Sequence, residues 1–258
     1  MKRMLIIPDY RELDISISLA KEYEAGFEYN DFVTPEVLDG NESLEQVILD
    51  YQRKDLPELT TVHGAFYDVI PFSVDRKIQE ISDLRIHQSI AVTKKMKAES
   101  VVFHTNYNPF LNSEVYKRNW IEENVAYWSC ILEENPDVNI YLENMFDTTP
   151  DLLEQISNRL CQYKNYGVCL DYAHAFLSKT APEEWARRLA RFVKHVHISD
   201  NDGISDLHMA WGDGIINKDD FYQNYCTYLN GAAILMETTG NENIKKSLLR
   251  LKKDGFLE

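Results

Sequence analysis

The chain has 258 residues, of which 44% are hydrophobic and 27% charged, and it carries a formal net charge of −15. That is the composition of a folded globular chain, long enough to bury a core without disulfide staples. The acidic balance disfavours a partner gripped by its phosphate backbone, and the basic clusters at Lys94-Lys95-Met96-Lys97 and Lys245-Lys246 read as solvated helix faces.

The opening segment MKRMLIIPDY has its apolar run broken at Asp9, so it does not read as a secretory leader. No stretch approaches the roughly eighteen apolar residues that cross a bilayer, and no membrane partner is expected. The four cysteines, Cys130, Cys161, Cys169 and Cys226, form no C-x-x-C pair. Scattered thiols in a chain of this size predict a reduced, cytoplasmic protein.

Short apolar runs recur along the chain. Candidate strands lie at 4–8, 26–29, 59–64, 100–105, 138–144, 166–171, 193–199 and 232–238. Charged segments of helical periodicity separate them, among them 74–98, 113–135, 182–192 and 241–253. Thr149-Pro150 and Ala181-Pro182 put proline near a helix's first turn, where its missing N–H costs nothing. Strand–helix units repeated eight times predict an α/β fold, a closed (β/α)8 TIM barrel, as one domain over 1–258. An open doubly wound sheet is the alternative, but no G-x-G-x-x-G follows the first strand.

Barrel active sites form at the C-terminal ends of the strands. Those ends carry His63, His104, Glu143, Asp171 with His174, His197 with Asp206 and His208, and Glu237. Any one of these has an ordinary structural explanation. A carboxylate at the end of a buried strand, such as Glu143 or Asp171, is costly unless paired or bound to a cation. Six consecutive strands delivering imidazoles and carboxylates to one rim predict a divalent-metal site. A nitrogen and oxygen donor set without thiolate suits zinc, manganese or related ions, and the number of donors allows more than one. His195 reads as structural or as support for a ligand, His87 as a helix-surface residue, Asp200 and Asp202 as turn caps beside Gly203, and Asp213 as a cap of the next element.

The motifs VHGAFYDVIPFS, VVFHTN, IYLENMF, GVCLDYAHAF, HVHISDNDGISDLHMAWGDG and AILMETTG, taken in order, resemble those of the xylose-isomerase-like barrel superfamily. That superfamily includes sugar and sugar phosphate isomerases and epimerases, and the endonuclease IV group of apurinic-site nucleases. The nuclease branch implies three ions. His63, His104 and Glu143 would hold the first, Glu143, Asp171, His197 and Glu237 the second, and His174, Asp206 and His208 the third. The isomerase branch implies one ion, of manganese, magnesium, cobalt or zinc, on Glu143, Asp171, His197 and Glu237. This sequence departs from the nuclease pattern: no glycine-rich loop follows Glu143-Asn144, Ser199-Asp200-Asn201-Asp202 lacks a lysine, and Leu207 stands where an arginine is expected.

The isomerase resemblance implies proton transfer through an enediolate, with the ion as Lewis acid and Glu143 and Glu237 as the two acid–base groups. His174 and His208 would bind substrate hydroxyls or a phosphate. Phe66 and Trp211, with Tyr67 and Phe146, would wall a sugar ring. The expected partner is a small-molecule sugar. An endonuclease-type phosphodiester hydrolase and a non-catalytic metal- or sugar-binding barrel are the alternatives.

Overall fold

The eight short apolar strands pair in parallel and in chain order: β1 (Met4–Ile6), β2 (Gly26–Tyr29), β3 (Thr60–His63), β4 (Ser100–His104), β5 (Asn139–Glu143), β6 (Tyr166–Asp171), β7 (Val193–Ile198) and β8 (Ala233–Met236). The computed structural model describes residues 2–257. β8 returns to pair with β1, Ile234 beside Met4 and Met236 beside Ile6. The sheet therefore closes and leaves no unpaired edge. Around it run α1 (Leu13–Glu22), α2 (Pro35–Asp39), α3 (Asn41–Gln52), α4 (Arg76–Met96), α5 (Glu114–Glu134), α6 (Asp151–Leu160), α7 (Tyr172–Leu177), α8 (Pro182–Leu189), α9 (Lys218–Asn224) and α10 (Asn241–Lys253). The (β/α)8 barrel expected from the alternation is the observed fold. None of the described helices is long and apolar enough to cross a membrane.

Several helices start where a side chain takes up a free backbone N–H. Asp75 accepts from Lys77 N at the head of α4, and Ser113 from Tyr116 N at the head of α5. Pro182 occupies the first turn of α8.

Along each strand, side chains alternate between two environments. Val62, Val101, Phe103, Ile140, Leu142, Val168, Leu170, Val196, Ile198 and Ile234 belong to the main core that the surrounding helices complete. The intervening residues form separate small clusters: Val102 with Tyr141 and Cys169, and Leu5 with Ile7, Ala233 and Leu235. His63, His104, Glu143, Asp171, His197 and Glu237 follow the inward positions by two residues, so they crown the barrel interior.

Register sets their heights. His104 lies beside Glu143, and Asp171 beside His197. The second pairing depends on a bulge. Val168 faces Val193, but Cys169 faces His195, so β7 carries one extra residue, Lys194. A one-residue offset reverses which side chains face in. The bulge sends the exposed Lys194 away and turns both His195 and His197 into the barrel.

Candidate metal centre

Glu143 stands at the middle of the rim. Its Oε2 lies 3.6 Å from His63 Nε2, 3.6 Å from His104 Nε2 and 3.5 Å from His197 Nδ1. Its Oε1 is 3.5 Å from His174 Nδ1. Glu237 Oε2 approaches His197 Nδ1 at 3.4 Å and His208 Nδ1 at 3.7 Å. Donor atoms lying within 4.8 Å of one another group Glu143 with Asp171, His197 and Glu237, and Glu143 again with His63 and His104. Two atoms each about 2.1 Å from a shared ion lie roughly 3.0–3.5 Å apart, a little closer than the 3.4–3.7 Å found here.

The buried polar atoms at this centre lack partners. Both Glu143 carboxylate oxygens, Asp171 Oδ2, His197 Nδ1 and Glu237 Oε2 have none, although each is shielded from solvent. Unpaired buried polar atoms carry a large desolvation cost, which a divalent cation removes. The charges make the same case. Burial pushes Asp171 well above its ordinary value despite the nearby His174 imidazole, and Glu237 and Glu143 add to the push. Burial would raise Glu143 as well, but the His197 and His104 imidazoles outweigh it and hold this carboxyl well below the usual range. At Glu237 burial again works upward, and His197 and His208 overcome it and hold the carboxyl at about 2. Burial pushes His104 down to about 3, which leaves its lone pair free to bind. The donor set therefore fits a hard or borderline divalent ion.

The histidines are oriented by the backbone. Nδ1 of His63 lies 2.9 Å from the Gly64 carbonyl, Nδ1 of His174 2.9 Å from the Asn144 carbonyl, and Nδ1 of His208 3.2 Å from the Glu237 carbonyl. A carbonyl only accepts, so each Nδ1 carries a proton; the Nε2 of His63 then faces Glu143, while the Nε2 atoms of His174 and His208 face the Asp206 carboxylate. Asn144 also braces Asp171. Its amide donates to the Asp171 carbonyl, and its oxygen accepts the Asp171 N–H, both at 2.9 Å. Asp171 Oδ1 caps α7 by accepting His174 N–H at 2.5 Å, which leaves Oδ2 for the centre.

The remaining trio is built differently. Asp206 Oδ2 sits 3.2 Å from His174 Nε2 and 3.0 Å from His208 Nε2. Among the described residues this trio is not one of the groups whose donor atoms all lie within 4.8 Å of one another. It is a carboxylate clamped between two imidazoles. Burial would raise Asp206, but its bonds to His174 and His208 hold it far below the usual range. His208 responds in kind: burial would lower it, but Asp206 and Glu237 lift it to about 10. His208 also has φ of +45°, a left-handed backbone that costs a non-glycine residue on the order of 1–3 kcal/mol. Thr238 Oγ1 bonds its carbonyl at 2.8 Å and helps to hold it there.

A family profile described as the xylose isomerase-like TIM barrel matches residues 20–253. The chain belongs to that family. Two relatives of this xylose isomerase-like barrel are uncharacterized proteins of Methanocaldococcus jannaschii. MJ1311 is 31% identical over 167 residues, covering 60% of this chain and 56% of its own. MJ1614 is 29% identical over 174 residues, covering 62% and 63%. The chain thus spans less than two thirds of either relative. Three solved structures share the fold over nearly the whole chain. The TTHB071 protein of Thermus thermophilus, soaked with ZnCl2, has a TM-score of 0.76 at 20% identity, covering 98% of this chain and 99% of that one. A D-tagatose 3-epimerase-like protein has 0.74 at 23%, covering 99% and 100%. The 3-keto-D-glucoside 4-epimerase of E. coli has 0.69 at 14%, covering 98% of each.

The aromatic expectations divide. Within this family member, Phe66 stacks over the centre, its ring 5.3 Å from His63 and 5.1 Å from His104. Tyr67 and Phe146 lie exposed on the rim. Trp211 does not line the site. It is fully buried, packs on Phe221 at 5.2 Å and bonds Tyr222 Oη through Nε1 at 3.2 Å. Its large apolar ring is satisfied by the helix layer, so it has no face to offer a substrate. Asp213 does not cap the next element either. It pairs with Lys246 and Arg250, while Asn217 caps α9.

Asp200 does more than cap a turn. It is buried and accepts the N–H groups of Asn201, Gly212 and Ile216, folding the loop that carries Asp206 and His208. A Cβ at Gly214 would lie 2.2 Å from the Asn201 carbonyl, so the loop closes only with glycine there. Asp202 accepts Ile204 N–H and Ser205 N–H as a simple turn. His87 is a helix-surface residue facing Asp83 and Glu134.

Two buried carboxylates escaped the sequence reading. Glu28, in GFEY of β2, lies inside the barrel below the rim, 3.0 Å from His195 Nε2 and 3.1 Å from His197 Nε2. A lone acid inside a short apolar strand is the signal that singled out Glu143, and it applies equally here. Asp147 is buried after β5 and accepts from Thr105 Oγ1 at 2.5 Å; burial raises it to about 6. Its loop position gave no such signal.

Proposed function

We propose that this chain is a divalent-metal-dependent isomerase or epimerase acting on a sugar or a related hydroxy-carbonyl compound, and that it works as a single barrel domain. The observation that carries the reading is the pair of buried carboxylates Glu143 and Glu237, delivered by strands separated by two others and both meeting His197 Nδ1, at 3.5 and 3.4 Å. Glu143, Asp171, His197 and Glu237 would hold one ion. When bound, a divalent ion at this place supplies Lewis-acid polarisation of the substrate carbonyl.

This chain's own groups do the rest. One of Glu143 and Glu237 removes the proton from the carbon beside the carbonyl, and the other returns a proton; which does which depends on the face presented. Both are held ionised, the state the base requires, so the partner takes up a proton from solvent before it returns one. His208, charged and half-exposed beside Asp206, donates to a substrate hydroxyl or to a phosphate. Phe66 covers His63 and His104 with an apolar surface suited to a ring's C–H face. The epimerase named among the structural neighbours supports this reaction class by analogy of fold. Free thiols at Cys130, Cys161, Cys169 and Cys226 support a reducing, cytoplasmic setting.

The deciding experiment is solvent-deuterium incorporation into ketoses, ketose phosphates and 3-keto-glycosides with manganese, magnesium, cobalt or zinc supplied. Incorporation is expected for at least one class, and it should vanish in both Glu143→Gln and Glu237→Gln. No incorporation across the panel would overturn the reading.

One observation favours a second reading. His63 and His104 give Glu143 a further donor group, as a two-ion hydrolase would need. Against it stand the clamped arrangement of Asp206 and the net charge of −15. Metal-dependent cleavage of an abasic-site duplex, lost in Glu143→Gln, would establish the hydrolase instead.

A further inference from the structure

The rim histidines do not share one means of orientation. Backbone carbonyls fix His63, His174 and His208 through Nδ1, so each presents Nε2. His197 is reversed. Its Nδ1 faces the Glu143 and Glu237 carboxylates, and its Nε2 points down into the barrel. No carbonyl meets that Nε2. It meets Glu28 Oε1 at 3.1 Å, in contact though off the line of an ideal hydrogen bond, and neither atom has another partner.

Glu28 is itself anchored. Thr61 Oγ1 donates to its Oε2 at 2.7 Å, and His195 Nε2 stands 3.0 Å from the same oxygen. Tyr141 stacks on the His195 ring at 6.2 Å with 28° between planes, which steadies the imidazole from the side. Every member of this group is buried. The fully buried carboxylate is expensive on its own, and its contact with His195 already reduces that cost. His195 alone, however, leaves Oε1 unused and aimed at His197.

We infer that Glu28 is a positioning residue: its carboxylate holds a proton of His197 on Nε2, so that Nδ1 is the nitrogen offered to the metal centre. The physical reason is the two-nitrogen chemistry of imidazole, in which the group bonded to one nitrogen decides the state of the other. A β2 residue from one wall thereby sets a ligand on β7, and Thr61 on β3 sets the angle of Glu28. The inference rests on the metal-centred reading above only for its consequence. On this inference the Nε2 proton is held with or without the ion, and an ion bound at Nδ1 displaces any proton that nitrogen shares with Glu143 and Glu237.

The test uses the whole protein after exhaustive treatment with a chelator. Long-range nitrogen–proton NMR reads which His197 nitrogen is protonated, with the resonance assigned by its absence in His197→Asn. The wild type should carry a proton on Nε2. In Glu28→Gln the amide can turn its NH2 toward Nε2, so the Nδ1–H form should appear. Affinity for Mn2+ and Zn2+, measured by chelator competition, should then fall roughly 10- to 100-fold, the usual range for losing a partner of a ligating histidine. Thr61→Val keeps the charge but frees Glu28, and it should give a smaller loss in the same direction. His195→Gln removes the imidazole that meets Glu28 Oε2 yet should leave the His197 proton on Nε2.

A wild-type His197 with no proton on Nε2 would overturn the inference. So would Glu28→Gln with an unchanged His197 signal and unchanged metal affinity. If Glu28→Gln fails to fold, the wild-type spectrum and Thr61→Val decide. If the wild type binds neither ion, the metal-centred function falls, while the proton position on His197 still decides the role of Glu28.

Discussion

The inner ring of Glu143, Asp171, His197 and Glu237 and the outer clamp of His174, Asp206 and His208 use the same two residue types for different ends. The inner donors come from the ends of neighbouring strands, at or within one residue of the last ladder positions, where backbone hydrogen bonds fix each Cα. Their side chains are shielded from water, and several of their polar atoms are unpaired. In the outer clamp, Asp206 and His208 come from a loop, are 28% and 36% exposed, and already satisfy each other at 3.0 Å. Donors that are rigid, dry and unpaired call for an ion. Donors that are partly wet and already paired can exchange partners with a substrate. Position on the scaffold separates the roles more than residue identity does.

The largest effect that would break this contrast is at Glu143, which both donor groups share. Glu143→Gln should weaken metal binding by more than roughly 100-fold, beyond the range for losing a supporting residue, and abolish isotope exchange. Inductively coupled plasma analysis of the dialysed protein, with the exchange assay, checks both. Retained metal with lost exchange would instead mark Glu143 as purely an acid–base group.

Metal removal should come next. An ion at a hundredfold excess over its Kd stabilises the folded state by about 2.7 kcal/mol. For a chain of this size that raises Tm by roughly 5–10 °C, which a chelator titration in a thermal melt would reveal. A melt indifferent to chelator and to added ion would remove the reason for calling the inner ring a metal centre.

The clamp gives a smaller and different response. Asp206→Asn should leave the metal stoichiometry unchanged and raise KM on the order of tenfold, one charge-assisted hydrogen bond's worth. It should also lower His208 from about 10 toward its ordinary value, so that His208 loses its charge at a lower pH than in the wild type. Proton NMR titration of His208 reads this directly. Loss of a metal equivalent in Asp206→Asn would turn the clamp into a further ion site.

The smallest effect concerns Asp147, beyond both groups. Its folded pKa of about 6 lies above the ordinary aspartate value. Its contribution to stability is therefore fully present below about pH 4 and is lost as pH rises through about 6. Asp147→Asn should remove that dependence, gaining at most about 3 kcal/mol relative to the wild type at neutral pH, read by urea denaturation at several pH values.

Much of this protein was legible in its sequence. Eight apolar runs separated by amphipathic ones pointed to the barrel, because a parallel sheet needs apolar strands and helices that cover it. The inner ring was legible because strand periodicity and the position of barrel sites are local facts about HVHIS, YLEN and CLDYAH. Glu28 was legible by the same rule, but it sits one residue short of the end of β2 and so below the rim on which the strand-end rule concentrates. Other features had no local signal. Tertiary packing buried Trp211 against Phe221, and the charge of α10 drew Asp213 to Lys246 and Arg250. H-x-H guarantees that His195 and His197 share a face of their strand, but only the extra residue at Lys194 decides that this face is the inner one. The pairing of β6 with β7 sets that offset, and a register between strands distant in sequence exists only once the barrel has closed.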